Sequence, residues 1–274
     1  MAMMWETLHA YLQDQCATIM DLAPVIGEKS HKKDVHKLRV TIKKTRACLD
    51  LARQLSNKAF KGKKYIRLLK VLQQAAGALR DLQLQEESLL QYTGNGRRYA
   101  PFHLLQKNHA QLAAQQARAI ADAFPLAFVK TLPKQLQKKD VKATGAKDAG
   151  AYLQQQYAAI SLPLGRGPAE KWHDLRKEVK RLHYQLSILQ PLFDTSKGLE
   201  EMLRFTDEAG SCLGAWHDLL ALQQVIRQHM RLLRSEGMTV PAGTDELLKR
   251  IAADTRQELQ RCKAWIQQKP DVTI

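Results

Sequence analysis

The sequence HKLRVTIKKTR at residues 36–46 decides the fold, because it recurs as HDLRKEVKRLH at residues 173–183. The second stretch follows the first at an offset of 137 residues. A second pair of stretches, GALRDL at 77–82 and GAWHDL at 214–219, has the same offset. Two pairs with one offset indicate a duplicated unit of at least about 45 residues.

The composition and the spacing of breaks predict an all-α protein. Leu, Ala, Gln, Lys and Arg dominate, and no alternating strand pattern is present. Helices are predicted at residues 4–22, 30–56, 62–92, 98–122, 125–138, 148–161, 169–190, 198–235 and 243–268, with a linker at 139–147. Long helices with short connections form antiparallel bundles. We therefore expect a single domain over 1–274 made of two pseudo-symmetric antiparallel four-helix bundles, one from each repeat (1–140 and 141–274), with a basic groove between them.

The charge is strongly positive and local. The formal net charge is +16, and residues 29–70 alone hold 15 basic residues against two acids, Asp34 and Asp50. Such an excess indicates a polyanionic partner: nucleic acid, an acidic membrane surface or a phosphate polymer. No stretch reaches the roughly 18 apolar residues of a spanning helix, and the first 15 residues lack the apolar region of a secretory signal. We expect a cytoplasmic protein with no membrane insertion.

The basic residues of each repeated stretch share one helical face. At about 100° per residue, the cations lie apart from the apolar stripe that runs from Val35 to Leu49. Like charges four residues apart repel each other, which favours a face that binds an anion. An ordinary exposed basic face stays open as the alternative, more so in the second repeat, where Asp174 and Glu178 dilute the charge. The two faces consist of Lys32, His36, Arg39, Lys43 and Arg46, and of His173, Arg176, Lys177, Lys180 and His183.

Further basic residues extend the candidate anion site. Lysine acts on a phosphate as a point charge, and arginine can donate to it through two N–H groups. Each repeat also contains an acid within its second stretch, Asp81 or Asp218, which we expect to pair with a neighbouring Arg or Lys and to hold that side chain in place. The additional candidate residues are Lys44, Lys63, Arg67, Lys70, Arg181 and Arg204.

The sequence contains none of the common metal-binding or catalytic motifs. The four cysteines, with no C-x-x-C pair among them, are expected to be isolated buried thiols. No H-E-x-x-H, P-loop, G-x-G-x-x-G or G-x-S-x-G is present. We therefore expect no metal, no cofactor and no catalytic residue. The cysteines are Cys16, Cys48, Cys212 and Cys262.

The repeated motifs resemble those of the CHAD family, a helical domain named for its histidines. The resemblance lies in the H-x-L-R-x-x-x-K-[KR] segments at 36–44 and 173–181 and in the L-R-D and W-H-D turns at 79–81 and 216–218, within a pattern over about residues 5–268. It implies two four-helix bundles around a basic groove, binding of inorganic polyphosphate and association with polyphosphate granules. The chain looks like a stand-alone member, because it lacks the E-x-E-x-K motif of the triphosphatase domain to which many relatives are fused.

The predicted function is non-enzymatic binding of inorganic polyphosphate or a similar polyanion. A nucleic-acid-binding protein is the main alternative, and it should carry aromatic side chains on the basic faces, where Tyr65 is the main one. A phosphatase or a histidine phosphotransfer protein is a further alternative. Because a phosphate chain favours the imidazolium, affinity should rise as the pH falls, and His36 and His173 should supply the effect. Lysine and arginine are not expected to titrate between about pH 5.5 and 8.

Overall fold

Helices account for almost all of the structure. The computed structural model describes residues 2–27, 31–137, 146–163, 169–193 and 196–274. Their helices confirm the all-α class, and each begins and ends within two residues of a predicted one. Residues 139–145 of the predicted linker lie outside the described residues, and its last two residues belong to the sixth helix. The helices are α1 (Ala2–Leu22), α2 (Lys32–Leu55), α3 (Lys63–Thr93), α4 (Ala100–Ala123), α5 (Leu126–Gln137), α6 (Ala146–Ala159), α7 (Ala169–Leu189), α8 (Lys197–Ser235) and α9 (Thr244–Gln267).

The helix ends coincide with residues that suit them. Gly94 after α3 and Gly243 before α9 have φ values of 63° and 78°, which a residue without a side chain adopts readily. Pro101 lies in the first turn of α4, where its missing N–H leaves no hydrogen bond unmade. At the start of α8, the Ser196 hydroxyl oxygen accepts a hydrogen bond from the backbone N–H of Leu199 at 3.3 Å.

One continuous hydrophobic core joins the two repeats. It extends from Met4 in α1 to Ile266 in α9 and includes Leu38 of α2 and Val179 of α7. A smaller second core lies between the parts of α3, α4, α8 and α9 that are distant from α2 and α7. This second core exists because α3 and α8, with 31 and 39 residues, are longer than α2 and α7, with 24 and 21. No helix in the described part of the chain is both long and apolar enough to cross a membrane.

The helices that carry the repeated stretches pack around one another. α2 packs against α3, α7 against α8, α2 against α7, and α3 against α8. α1 contacts both α2 and α7. The two histidine-led helices therefore lie side by side, and equivalent residues of the two repeats can contribute to one surface. Separation of the repeats into two four-helix bundles stays a prediction.

Candidate anion-binding site

The core packing of α2 and α7 decides where their basic residues stand. Val35 and Ile42 of α2 and Val179 and Leu186 of α7 are fully buried. Basic residues occupy much of the remaining surface of each helix, and those next to the α2–α7 contact, such as Arg39, are only partly exposed. Because a helix cannot bury one face without turning the other outwards, the apolar stripe directs the cations toward a common surface.

Four basic residues come together where α2 meets α7. Arg39 and Lys43 belong to α2, and Arg176 and Lys180 occupy the equivalent positions of α7. The charge of Lys43 is repelled by those of Arg39, Arg176 and Lys180. Arg176 is repelled by Arg39 in turn. We call Arg39, Lys43, Arg176 and Lys180 the central cation cluster.

Burial and repulsion act together on the lysine at the centre of this cluster. The pKa of Lys43 is lowered from 10.5 to about 7, first by loss of solvation and then by the charges of Arg39 and Arg176, while Asp81 acts in the opposite direction. Burial is also the main cause that lowers the pKa of Arg176 and of Lys180. The fold thus places basic side chains where their charged forms are destabilised, and such perturbed pKa values are common at functional sites.

Two glycines on neighbouring helices lie against side chains of the cluster. A Cβ atom at Gly210 of α8 would lie 2.8 Å from Lys180 Cε, closer than such atoms normally approach. A Cβ atom at Gly77 of α3 would lie 3.4 Å from Arg39 Nε, within ordinary contact distance. The end of the Lys180 side chain thus lies against the backbone of α8 at Gly210, and a side chain at residue 210 would displace it.

Carboxylates from α3 and α8 balance part of the positive charge. Arg39 Nη2 lies 3.0 Å from Asp81 Oδ1, which confirms the predicted ion pair for the first repeat. In the second repeat, Asp218 attracts Arg176 and lies 3.6 Å from His217 Nδ1. The basic face of the first histidine-led helix was expected to lack interleaved acids, whereas Asp174 and Glu178 were expected to dilute the charge of the second. The surface is nevertheless not acid-free, because the carboxylates come from the helices packed beside α2 and α7.

The leading histidine of each repeat adjoins the cluster. The pKa of His36 is lowered by burial and then by the charge of Arg80 on α3. The ring of His173 stacks on that of His217, with 5.0 Å between the ring centroids and 26° between the ring planes. Burial and the charge of Lys177 lower the pKa of His173. Both imidazoles are therefore more readily neutral than a free histidine, and a nearby anion would favour their protonation.

A further electrostatic interaction between the repeats involves Lys44 and His183. Burial lowers the pKa of His183, and Lys180 and Lys44 act in the same direction. His183 Nδ1 is 3.2 Å from the Thr206 hydroxyl oxygen, and its Nε2 is 3.9 Å from Asp207 Oδ1. The structure thus brings the predicted residues Lys44 and His183 into one region, with α8 supporting the histidine.

Some predicted site residues have partners away from the cluster. Lys32 Nζ lies 3.3 Å from a carboxylate oxygen of Glu86 and 3.3 Å from one of Glu87. Lys177 pairs with Asp174 at 2.9 Å. Such exposed pairs are weak, so both lysines can exchange a carboxylate for another anion.

The remaining predicted residues are spread over other helices. Arg46 donates a hydrogen bond to the side chain of Gln73, and Arg181 donates to Gln156 Oε1 at 3.3 Å. Arg204 lines a separate pocket. Their part in anion binding stays a prediction, as does that of three exposed residues on α3, Lys63, Arg67 and Lys70.

Three residues of the site were absent from the predicted set. Arg80 and His217 are equivalent at the offset of 137 and act on the leading histidine of their own repeats. Their position inside the second repeated stretch was the signal that could have found them. Tyr184 is partly buried near both Arg39 and Arg176, whose charges act on its hydroxyl. Residue 47, its equivalent in the first repeat, is alanine, so the repeat contains no signal for it.

Three guanidinium groups of the site retain an unused donor. The Nε atoms of Arg39, Arg80 and Arg176 are buried and donate to no acceptor within the described parts of the chain. A buried donor without an acceptor costs about 1–3 kcal/mol. Oxygens of a phosphate group can accept several such hydrogen bonds, and these are stronger than bonds between neutral groups. The arrangement is therefore suited to an anion with many oxygens.

Comparisons with known proteins identify relatives of the chain. The family profile described as CHAD domain matches residues 10–227. The crystal structure of the CHAD domain from the plant Ricinus communis has a TM-score of 0.73 at 17% identity, over 98% of this chain and 94% of that one. PptA from Streptomyces chartreusis has a TM-score of 0.63 at 17% identity, over 97% of this chain and 98% of that one. Identity at this level supports a common fold alone. No curated protein matches the chain.

Proposed function

From the premise that this chain belongs to the CHAD domain family, we propose that it binds inorganic polyphosphate without transforming it. The phosphate chain would lie across the central cation cluster, with His36 and Arg80 on one side and His173 and His217 on the other. We also infer that the repeats form two four-helix bundles about a pseudo-two-fold axis, with a basic groove at the contact of α2 with α7. Association with cytoplasmic polyphosphate granules would follow from such binding.

The observation that carries this proposal is the central cation cluster itself. Equivalent residues of two repeats bring four cations together, and three arginine Nε donors at the site lack an acceptor among the described residues. A linear phosphate polymer supplies charge and acceptor oxygens continuously along its length. Its binding would relieve the repulsion within the cluster and satisfy the donors at the same time.

The position of Tyr65 favours polyphosphate over a single-stranded nucleic acid. Its ring stacks with those of Phe60 and Phe128, at centroid distances of 6.3 and 5.9 Å. A ring packed between two others is poorly placed to stack on a base, which is how single strands are held. Polyphosphate has no bases and needs no aromatic platform.

The surroundings of the acidic residues at the site support binding without catalysis. Asp81 is paired with Arg39, so its nearest role is to orient that guanidinium. Asp218 attracts the charge of Arg176 and lies 3.6 Å from His217 Nδ1. Proton transfer between Asp81 and a substrate would require this carboxylate to leave Arg39.

A competition experiment tests the proposed function. Labelled polyphosphate is bound to the protein on a filter and then displaced by an unlabelled competitor. The competitor concentration needed, counted in charges, should be at least about tenfold lower for polyphosphate than for single-stranded DNA or heparin. The logarithm of the affinity should also fall linearly with the logarithm of the salt concentration, with a slope of several units. Equal displacement by all three polymers would reduce the interaction to general electrostatics, and a flat salt dependence would contradict phosphate binding through these cations altogether.

The pH dependence of affinity should have two parts with different sources. Lysine was not expected to titrate near neutral pH, but Lys43, with a pKa of about 7, does. A bound anion raises the pKa of Lys43. The contribution of Lys43 to the affinity should therefore be complete below about pH 7 and fall as the pH rises above it. His36 and His173, whose pKa values lie below 6.5 in the free protein, should add a further rise in affinity at lower pH.

Calorimetric titrations from about pH 5.5 to 9 separate these sources. The variant Lys43→Met should lose the dependence above pH 7, and the double variant His36→Gln with His173→Gln should lose the dependence below it. An unchanged profile in either variant would assign that part of the pH dependence to other groups.

A further inference from the structure

Two cysteines that are 50 positions apart in the sequence meet where α8 packs against α9. Cys212 Sγ and Cys262 Sγ are 2.7 Å apart. Glu258 Oε1 lies 3.6 Å from Cys212 Sγ. The side-chain donor atoms of these three residues all lie within 4.8 Å of one another. All four cysteines are free and buried thiols, as expected, but Cys212 and Cys262 lie next to each other, which was not expected.

Helix geometry accounts for this cluster. Glu258 and Cys262 are four residues apart on α9, so they share one face of that helix. Cys212 lies on the face of α8 that packs against α9. Two ligands spaced by one helical turn, completed by a third from a facing helix, form an arrangement that can surround an ion without moving the backbone far.

We propose that Cys212, Glu258 and Cys262 form a binding site for a thiophilic divalent cation of the zinc type. Zinc binds thiolate sulfur at about 2.3 Å and carboxylate oxygen at about 2.0–2.2 Å, in tetrahedral geometry. These lengths place ligand atoms roughly 3.4–3.8 Å apart, which the separation of Glu258 Oε1 from Cys212 Sγ already meets. The two sulfurs would move apart by about 1 Å, and a water molecule would complete the four ligands.

The surroundings of the three residues suit entry of a cation from one side. Cys262 is 1% exposed and Cys212 8%. The side chain of Glu258 is 18% exposed and that of Arg261 73% exposed, and the two form an ion pair at 3.5 Å. Glu258 therefore marks the outer edge of the site, and Arg261 can swing into solvent when a cation takes its place. On coordination, both thiol protons pass to solvent, so that two thiolates and one carboxylate face the ion.

Burial explains why the thiols would be inert without a metal. Loss of solvation raises the pKa values of Cys212 and Cys262, so both are protonated at neutral pH. This proposal is independent of the proposed polyphosphate function, since none of the three residues belongs to the candidate anion-binding site.

The test is titration of the reduced full-length protein with Co²⁺, followed by displacement with Zn²⁺. One equivalent of Co²⁺ should produce thiolate-to-cobalt charge-transfer absorption, which cobalt bound to histidines does not produce. The signal should vanish in Cys212→Ser and in Cys262→Ser, and Glu258→Gln should weaken binding at least about tenfold. The matched controls Cys48→Ser, a buried thiol of α2, and Glu246→Gln, an exposed carboxylate of α9, should leave the signal unchanged.

Three results would overturn the proposal: no charge-transfer band in the reduced wild type, a band that persists without Cys212 and Cys262, or a disulfide between these two residues that reductant does not open. Circular dichroism establishes that each variant is folded. If a serine variant is unfolded, Glu258→Gln decides the matter, because its side chain is partly exposed and keeps its shape. Unchanged cobalt affinity in Glu258→Gln would then exclude the site.

Discussion

Replacement of Lys43 by methionine should make the unliganded protein more stable. In the folded chain the pKa of Lys43 is about 7, against an ordinary value of 10.5. Each unit of difference corresponds to about 1.4 kcal/mol between the protonation states. Between these two pKa values the unfolded chain binds more protons than the folded chain, so the stability of the wild type rises with pH from about 7 to 10.5. Below about pH 7, the charged Lys43 destabilises the folded state to its full extent. Methionine has a similar shape and carries no charge.

The gain in the free energy of unfolding should reach a few kcal/mol at pH 6, roughly between 2 and 5, and about half of that at pH 9. Urea denaturation at the two pH values measures it. Lys249→Met, at an exposed position on α9, should change stability by less than about 0.5 kcal/mol at either pH. A Lys43→Met protein that is no more stable than the wild type would show that the lysine is well solvated.

The same substitution should weaken polyphosphate binding at least about tenfold, because it removes a charge from the middle of the central cation cluster. Opposite effects on stability and on affinity distinguish a binding residue from a residue that merely supports the fold. Lys249 is a better control than its neighbour Arg250, which donates to the backbone oxygen of Tyr92 and lies over the Tyr92 ring.

Much of the fold could be predicted because local signals and tertiary packing agree. The apolar stripe of α2 predicted both a helix and the side that faces the core, and Val35 and Ile42 are buried as expected. The predicted helix boundaries agree with the structure to within two residues, and Gly94, Pro101 and Gly243 lie at helix ends. The core that joins the two repeats was not predicted, because periodicity shows that a face is buried and does not show which helix covers it.

The candidate site could be predicted in part for the same reason. Arg39 and Lys43 were found as a helical face, and Arg176 and Lys180 as its copy, since spacing along one helix is sufficient for that. The carboxylate partners were harder to find. Asp81 stood out only because it recurs at the offset of 137, and Asp207 has no acidic counterpart, since Lys70 occupies that position in the first repeat.

The cysteine pair lies beyond any argument from spacing. Cys212 and Cys262 belong to different helices and fall outside every short metal-binding motif. Their approach depends on the register of α9 against α8, which is decided by side chains along the whole contact. Ligand sets formed across a helix pair are visible only once that register is known.

The largest loss of affinity is expected from removal of the second repeat's share of the central cation cluster. The double variant Arg176→Met with Lys180→Met should bind polyphosphate about 100-fold more weakly or worse, and the slope of log affinity against log salt should decrease by about two units, one for each cation that no longer neutralises a phosphate. The comparison variant, Arg67→Met with Lys70→Met, removes the same charge from two candidate residues on the exposed surface of α3, outside the central cation cluster, and should cost only a few-fold. Filter binding at a series of salt concentrations measures both quantities.

The second repeat is far less basic than the first, so general electrostatics predicts the greater loss of affinity from the α3 pair. A greater loss from the α3 pair would therefore place the bound polymer on the first repeat alone, whereas a greater loss from the α7 pair would mean that the duplication serves to bring two equivalent helices onto one phosphate chain.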